Sequence, residues 1–266
     1  MSDVHAKLSF VTPETEHPKF IMQVGSSPAQ REGQWHERDV HIRDARSLGD
    51  RANVDTHGFE LITGAFTQAD AKDAESLATY LQEVEQLLQK RFPASKVHLI
   101  DHTFRSSAPK NGLKPTAGHV HNDYSLNSIR THLEKLFGEK AAKLAVRRGI
   151  AQVNVWHPLV PVVRVAPLAV VDGASVSPSD LVPAQIVYPD RVGEILQVRH
   201  RSEHRWYYYP EMTDNEVLLI KGYDSREDGQ ARYAPHAAFD HPDTQATDHP
   251  RKSIEVRALI EFEPRS

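Results

Sequence analysis

The chain of 266 residues contains no cysteine. That absence excludes a disulfide framework, thiolate-ligated zinc, an iron–sulfur cluster and a thiol nucleophile. Any metal must be held by nitrogen and oxygen. A surplus of positive charge is missing too: the net charge is −4, with both signs mixed along the chain. Nucleic-acid binders carry a basic patch or stripe, so nucleic acid is not an expected partner. No long hydrophobic run is present. The most apolar stretch, residues 160–171, is interrupted by Pro161, Arg164 and Pro167, far short of the ~20 apolar residues of a membrane span. The first ten residues show no basic segment followed by an apolar one, so no secretory signal is read. A soluble, cytoplasmic protein with no membrane partner is the expectation. Phosphate-binding glycine loops, a Gly-x-Ser-x-Gly elbow and a His-Glu-x-x-His zinc motif are all absent.

What the chain does have is 16 histidines, the commonest metal ligand and acid–base residue near neutral pH. Most are expected to be ordinary surface or hydrogen-bonded residues. Their setting follows from the hydrophobic pattern. Residues 1–40 are polar and aperiodic and read as an N-terminal arm over a single domain spanning 1–266. Residues 70–91 repeat Leu77, Leu81, Val84 and Leu88 at helical spacing, with Pro93 beyond the end. Residues 125–147 read as a second helical region broken at Gly138. A short strand is expected at 97–104. From Gly149 onward, Val-, Ile- and Tyr-rich runs separated by Pro, Gly, Asp and Ser read as strands, at 150–156, 160–171, 186–188, 195–200, 206–209, 217–223, 231–239 and 253–262. Helices lead and strands follow, without βαβ alternation. The expected class is mainly β with flanking α-helices, an antiparallel sandwich or barrel. Stretches 225–232 and 240–250 read as loops at its mouth.

His121 and Asp123 are two residues apart. On an extended strand that spacing points both side chains to one face. A third ligand from elsewhere would complete a two-His-one-carboxylate set with open positions, the arrangement of non-haem Fe(II) oxygenases. Composition alone gives about one His-x-Asp by chance, and a second, His241-Pro242-Asp243, is split by proline in a loop-like stretch. His236 is the best distal candidate. Fifteen residues later, Arg251, Ser253, Glu255 and Arg257 share one face of the last strand. Four inward polar residues call for an anionic ligand, which arginine binds bidentately, or for a Glu255–Arg257 salt bridge on a solvated face. Gln152, Asn154 and Trp156 share another strand face. The run His204-Arg205-Trp206-Tyr207-Tyr208-Tyr209 collects aromatics. These suit either a pocket wall for an apolar substrate or plain core packing.

An ordered set of stretches resembles the CmcJ/NvfI family of non-haem iron oxygenases, which includes AsaB-like hydroxylase/desaturases and relatives of the cephalosporin 7-alpha-methoxylation protein. The set is Asp44-Ala45-Arg46, His57-Gly58-Phe59-Glu60-Leu61, Asp101-His102-Thr103-Phe104-Arg105 and His121-Asn122-Asp123-Tyr124-Ser125. It continues with Asn154-Val155-Trp156, Pro167-Leu168-Ala169, His204-Arg205-Trp206-Tyr207-Tyr208, Glu216-Val217-Leu218-Leu219, Tyr223-Asp224-Ser225, Pro235-His236 and Arg251 to Arg257. It covers roughly residues 40–262.

The resemblance implies a double-stranded β-helix (jelly-roll) core, Fe(II), and 2-oxoglutarate as co-substrate. It implies O2 and a small-molecule, secondary-metabolite substrate that is hydroxylated, desaturated or converted to a peroxide. Carried over, it makes His121, Asp123 and His236 the iron ligands. Arg251 with Ser253 resembles an Arg-x-Ser clamp on the distal carboxylate of 2-oxoglutarate, with Arg257 as the competing arginine. Asn154, Trp156, His157, His204 and Trp206 are pocket candidates. The family pattern places arginine after Asn-x-Trp, where this chain has His157. Two other readings keep the fold: a cupin-like metal-dependent isomerase or O2-only dioxygenase, and a non-catalytic accessory protein. Oligomeric state stays open, a homodimer included.

Overall fold

The computed structural model describes residues 3–22, 28–92, 94–110, 113–227 and 229–263. Its strands in chain order are β1 (Val4–Val11), β2 (Lys19–Met22), β3 (Pro28–Glu32), β4 (Trp35–Asp44), β5 (Phe59–Thr63), β6 (Ala94–Ser106), β7 (Lys114–Pro115) and β8 (His121–Asn122). They continue with β9 (Ile150–Pro158), β10 (Leu168–Val171), β11 (Leu181–Val187), β12 (Val192–Val198), β13 (Trp206–Tyr208), β14 (Glu216–Asp224), β15 (His236–Ala238) and β16 (Lys252–Phe262). The α-helices are α1 (Ala74–Arg91), α2 (Leu126–Phe137) and α3 (Glu139–Arg148).

Two sheets face each other. The larger runs β1-β4-β13-β10-β15-β8-β12-β11-β2-β3, the smaller β5-β14-β9-β16-β6-β7. Most pairings are antiparallel; β11–β2, β13–β4 and β6–β7 are parallel. This is the expected jelly roll with outer helices. Strand alternation sorts the core into layers. Trp156, Leu168, Val170, Tyr207, Leu218 and Ile220 pack between the sheets. On the outer face of the small sheet, Val153, Val155, Ile254 and Val256 meet Tyr80, Val84 and Leu88 of α1. That helix starts where Asp73 accepts from the backbone N–H groups of Glu75 and Ser76, and it ends with Lys90 and Arg91 in the last turn, favourable to the helix dipole. Ser125 caps α2 with a box to Ser128, and Gly138 at φ +77 separates α2 from α3, as its position in the sequence predicts.

The sequence expectation of an arm over residues 1–40 is corrected in form. Val4, Ala6, Leu8 and Phe10 alternate into a buried layer with Ile42, Val171, Val198 and Trp206, and β1 forms a full eight-residue ladder with β4. Bridges from Ser9 to His119 and from Val11 to Arg199 then draw β1 back across the large sheet. The described strands of this segment, β1 to β4, all belong to the large sheet. The exposed charges on its other face mask the period of two. Two long strand expectations also shorten. Only residues 168–171 of the 160–171 run and 236–238 of the 231–239 run are strand, because prolines at 161, 167 and 235 lack the ladder N–H.

Candidate metal centre

His121 and His236 are direct cross-strand partners in the β8–β15 ladder. Paired residues present their side chains to the same face, and the two rings lie 4.7 Å apart. The chain leaves β8 immediately, and Asp123 follows on the same side. Ligand atoms of His121, Asp123 and His236 all lie within 4.8 Å of one another, the one such group among the described residues. Asn122, between them, is fully buried and donates its amide to the carbonyls of Tyr124 (2.8 Å) and Gly222 (2.7 Å). It ties the ligand-bearing turn to β14, so the middle residue of the motif is structural.

The donor set suits a divalent ion. His121 Nδ1–H donates to the His119 carbonyl at 2.8 Å and His236 Nδ1–H to the Ala234 carbonyl at 3.2 Å. Each bond fixes the tautomer and leaves Nε2 as the free lone pair, as in metal-bound imidazoles. Burial, reinforced by His121, holds the His236 imidazole down at about 4, so it is neutral and ready to ligate. Burial opposes charge on Asp123, but the Arg257 guanidinium overcomes it and holds the carboxylate well below its usual range. Asp123 Oδ2 accepts from Asn154 Nδ2 (2.5 Å) and Arg257 Nε (3.2 Å), while Oδ1 faces His121 Nε2 at 3.6 Å.

A narrow cavity opens on the two imidazoles, bounded by Arg105, Ala117, Trp156, Leu168, Arg251 and Glu255. Arg251 is 1% exposed, donates to the Ala166 carbonyl at 2.5 Å and leaves its Nε without a partner. Its guanidinium sits 5.4 Å from the Trp156 ring centre. Burial, with Arg105 nearby, draws its pKa down to about 9. A buried cation with an unused donor is costly unless an anion completes it. Ser253 is buried two residues further on the same face but lies outside the cavity lining. Arg257 also lies outside the lining; it donates to Asp101 (2.8 Å), Glu255 (2.7 Å) and Asp123. Burial opposes its charge, and these carboxylates hold its pKa well above the usual value. Burial, then Asp123, pushes the Glu255 carboxyl up.

Three pocket candidates sit elsewhere. His157 alternates to the other face of β9, where it stacks on Tyr80 at 5.3 Å and donates Nε2–H to the Asp214 carbonyl at 2.8 Å. His204 is buried against Asp180, 3.1 Å away. Trp206 is 1% exposed in the layer with Phe10 and Val171, across the large sheet from the cavity. Asn154 and Trp156 do reach the site. Sequence reasoning missed Arg105 as a site residue. It is the register partner of Ser253 in the β6–β16 ladder, and no local spacing announces a residue brought in by a distant strand. A larger cavity lies outside the sheets at Arg46, Glu60, Arg91 and Tyr209. Its guanidiniums are already paired with Glu216 and Glu60.

A jelly roll presenting two imidazoles and one carboxylate beside a cavity lined by two arginines fits the class of non-haem metal oxygenases. Comparison with known proteins narrows it. The family model described as "Oxidoreductase/YMDC permease-like domain" matches residues 8–261. The chain is 32% identical over 257 residues to the hydroxylase/desaturase efuI of Hormonema carpetanum, covering 86% of this chain and 85% of that protein. It is 30% identical over 267 residues to the Fe(II)/2-oxoglutarate-dependent dioxygenase nvfI of Aspergillus novofumigatus, covering 96% and 95%. The solved structure of the iron and alpha-ketoglutarate-dependent endoperoxidase NvfI superposes with a TM-score of 0.88 at 28% identity, covering 99% of each chain. The protein belongs to this NvfI/AsaB-like family of oxygenases. No helix among the described residues is long and apolar enough to cross a membrane.

Proposed function

We propose that the protein is an Fe(II)/2-oxoglutarate-dependent dioxygenase that oxidises a C–H bond of a small secondary metabolite by hydroxylation, desaturation or peroxide formation. His121, Asp123 and His236 would hold the iron. Arg251, assisted by Arg105, would bind the distal carboxylate of 2-oxoglutarate. The observation that carries this reading is the buried Arg251, with a donor unused, in the same cavity as two imidazoles whose Nε2 atoms are free. Two guanidiniums there match the two negative charges of 2-oxoglutarate. Trp156 covers the Arg251 guanidinium and keeps water from it. Bound iron, with 2-oxoglutarate and O2, supplies the oxidising power that these side chains lack. The chain's own contribution is to preset the imidazole tautomers, hold the carboxylate ionised and orient the co-substrate in the narrow cavity. The reading extends to a cytoplasmic enzyme acting as one domain over residues 1–266, alone or as a homodimer.

Anaerobic addition of 2-oxoglutarate to the Fe(II)-loaded protein tests this. A weak visible charge-transfer band, and succinate on admitting O2, are the expected results. Absence of both overturns the proposal.

A further inference from the structure

Resting on the metal-centre reading, we propose that Arg257 and Asn154 are positioning residues. Together they fix the Asp123 carboxylate with a single oxygen towards the ion, and Arg257 takes no part in holding 2-oxoglutarate.

The geometry divides the carboxylate. Oδ2 takes both protein donors, Asn154 Nδ2 at 2.5 Å and Arg257 Nε at 3.2 Å, and Oδ1 is left facing the imidazoles. A carboxylate so held cannot turn to offer both oxygens, which keeps a coordination position open for co-substrate. The two donors are register partners in the β9–β16 ladder, so adjacent strands of the small sheet reach across to Asp123 from one rung. Asn154 is itself oriented. Gln152 Nε2 donates to Asn154 Oδ1 at 2.6 Å, which commits the amide oxygen and turns the NH2 group to Asp123. Gln152 and Asn154 are both fully buried. A relay along one strand face thus ends on the ligand.

Charge supports the same assignment. Arg257 binds the carboxylates of Asp101, Asp123 and Glu255. With its donors engaged and its side chain outside the cavity lining, Arg257 is poorly placed to receive a further carboxylate.

The test uses the full chain with Co(II) as probe and two readouts: Co(II) affinity, and 2-oxoglutarate affinity at saturating Co(II). Asn154→Ala and Arg257→Gln are each expected to weaken Co(II) binding roughly 10–100-fold, the cost of losing a partner that orients a ligand. At saturating Co(II), 2-oxoglutarate affinity should change less than about threefold. Arg257→Lys, which keeps the charge and loses the fork, should recover part of the Co(II) affinity. Unchanged Co(II) affinity in both variants overturns the inference. So does an Arg257→Gln protein that binds Co(II) normally and has lost 2-oxoglutarate. Arg257→Gln strands Glu255 and Asp101 and risks misfolding; Asn154→Ala removes one neutral donor and decides the matter alone in that event. Failure of the unaltered chain to bind Co(II) is a different result, and it sinks the metal-centre reading itself.

Discussion

His121 and His236 face each other across one rung of an antiparallel ladder, and each donates its Nδ1 hydrogen to the carbonyl two residues before it in its own chain. The repetition leaves the Nε2 atom of both imidazoles available to an ion. His236→Gln and His121→Gln should therefore each lower Fe(II) affinity by more than the ~10–100-fold that loss of a supporting partner costs. The fold should persist, since both residues sit on short strands at the cavity. Metal content after gel filtration, with circular dichroism alongside, checks this. Full metal loading in either variant would remove that histidine from the ligand set.

The same burial that keeps His236 neutral carries a pH signature in the metal-free protein. Its pKa falls from 6.5 to about 4 on folding. In that window the unfolded chain binds more protons than the folded one, so stability drops as pH falls. The loss starts near 6.5, is complete near 4, and amounts to about 3 kcal/mol from this residue. Burial lowers His157, His204 and His200 as well, which adds to the slope. Urea unfolding at pH 7.5 and 4.5 should show a smaller difference for His236→Gln than for the unaltered chain. Equal differences would refute the assignment.

Much of this was legible in the residues. The i, i+2 spacing of His121 and Asp123, the inward face of Arg251, Ser253, Glu255 and Arg257, and the Gly138 break all follow from local periodicity. What stayed hidden depends on register between distant strands. Arg105 enters the cavity only because β6 pairs with β16, and Asp101 reaches Arg257 along the same ladder. The strands of the first 44 residues were obscured because their outer face is charged: Lys7 with Glu37 and His41 with Asp3 replace the apolar signal. His204 looked like a pocket residue from its aromatic neighbours. Its partner, Asp180, lies 24 residues away and carries no sequence mark.

Arg251 separates stability from function. The free protein bears the cost of a buried guanidinium whose Nε has no acceptor. Arg251→Met fills similar space without charge. It should raise the stability of the metal-free, co-substrate-free protein by on the order of 1–4 kcal/mol. The same change should weaken 2-oxoglutarate binding by about 2–5 kcal/mol, at least ~30-fold. Urea midpoints and the anaerobic charge-transfer titration measure the two effects on one preparation. A destabilised variant with unchanged 2-oxoglutarate affinity would show that Arg251 is structural.

Trp156 and His157 are neighbours with opposite duties, because successive residues of a strand point to opposite faces. Trp156 closes the cavity under Arg251. His157 lies beneath α1, between Tyr80 and Phe66, each with ring centres 5.3 Å away. His157→Ala should cost about 2–5 kcal/mol of stability, as removal of a buried side chain from a packed layer does. It should leave 2-oxoglutarate affinity within about threefold of the unaltered protein, the scatter expected for a site not touched. Trp156→Leu should do the reverse in kind: a measurable loss of 2-oxoglutarate affinity, because the Arg251 guanidinium loses the ring that shields it. Paired urea and co-substrate titrations on the two variants decide the point. If His157→Ala abolished 2-oxoglutarate binding at unchanged stability, the face assignment of β9, and with it the Asn154 contact to Asp123, would have to be reversed.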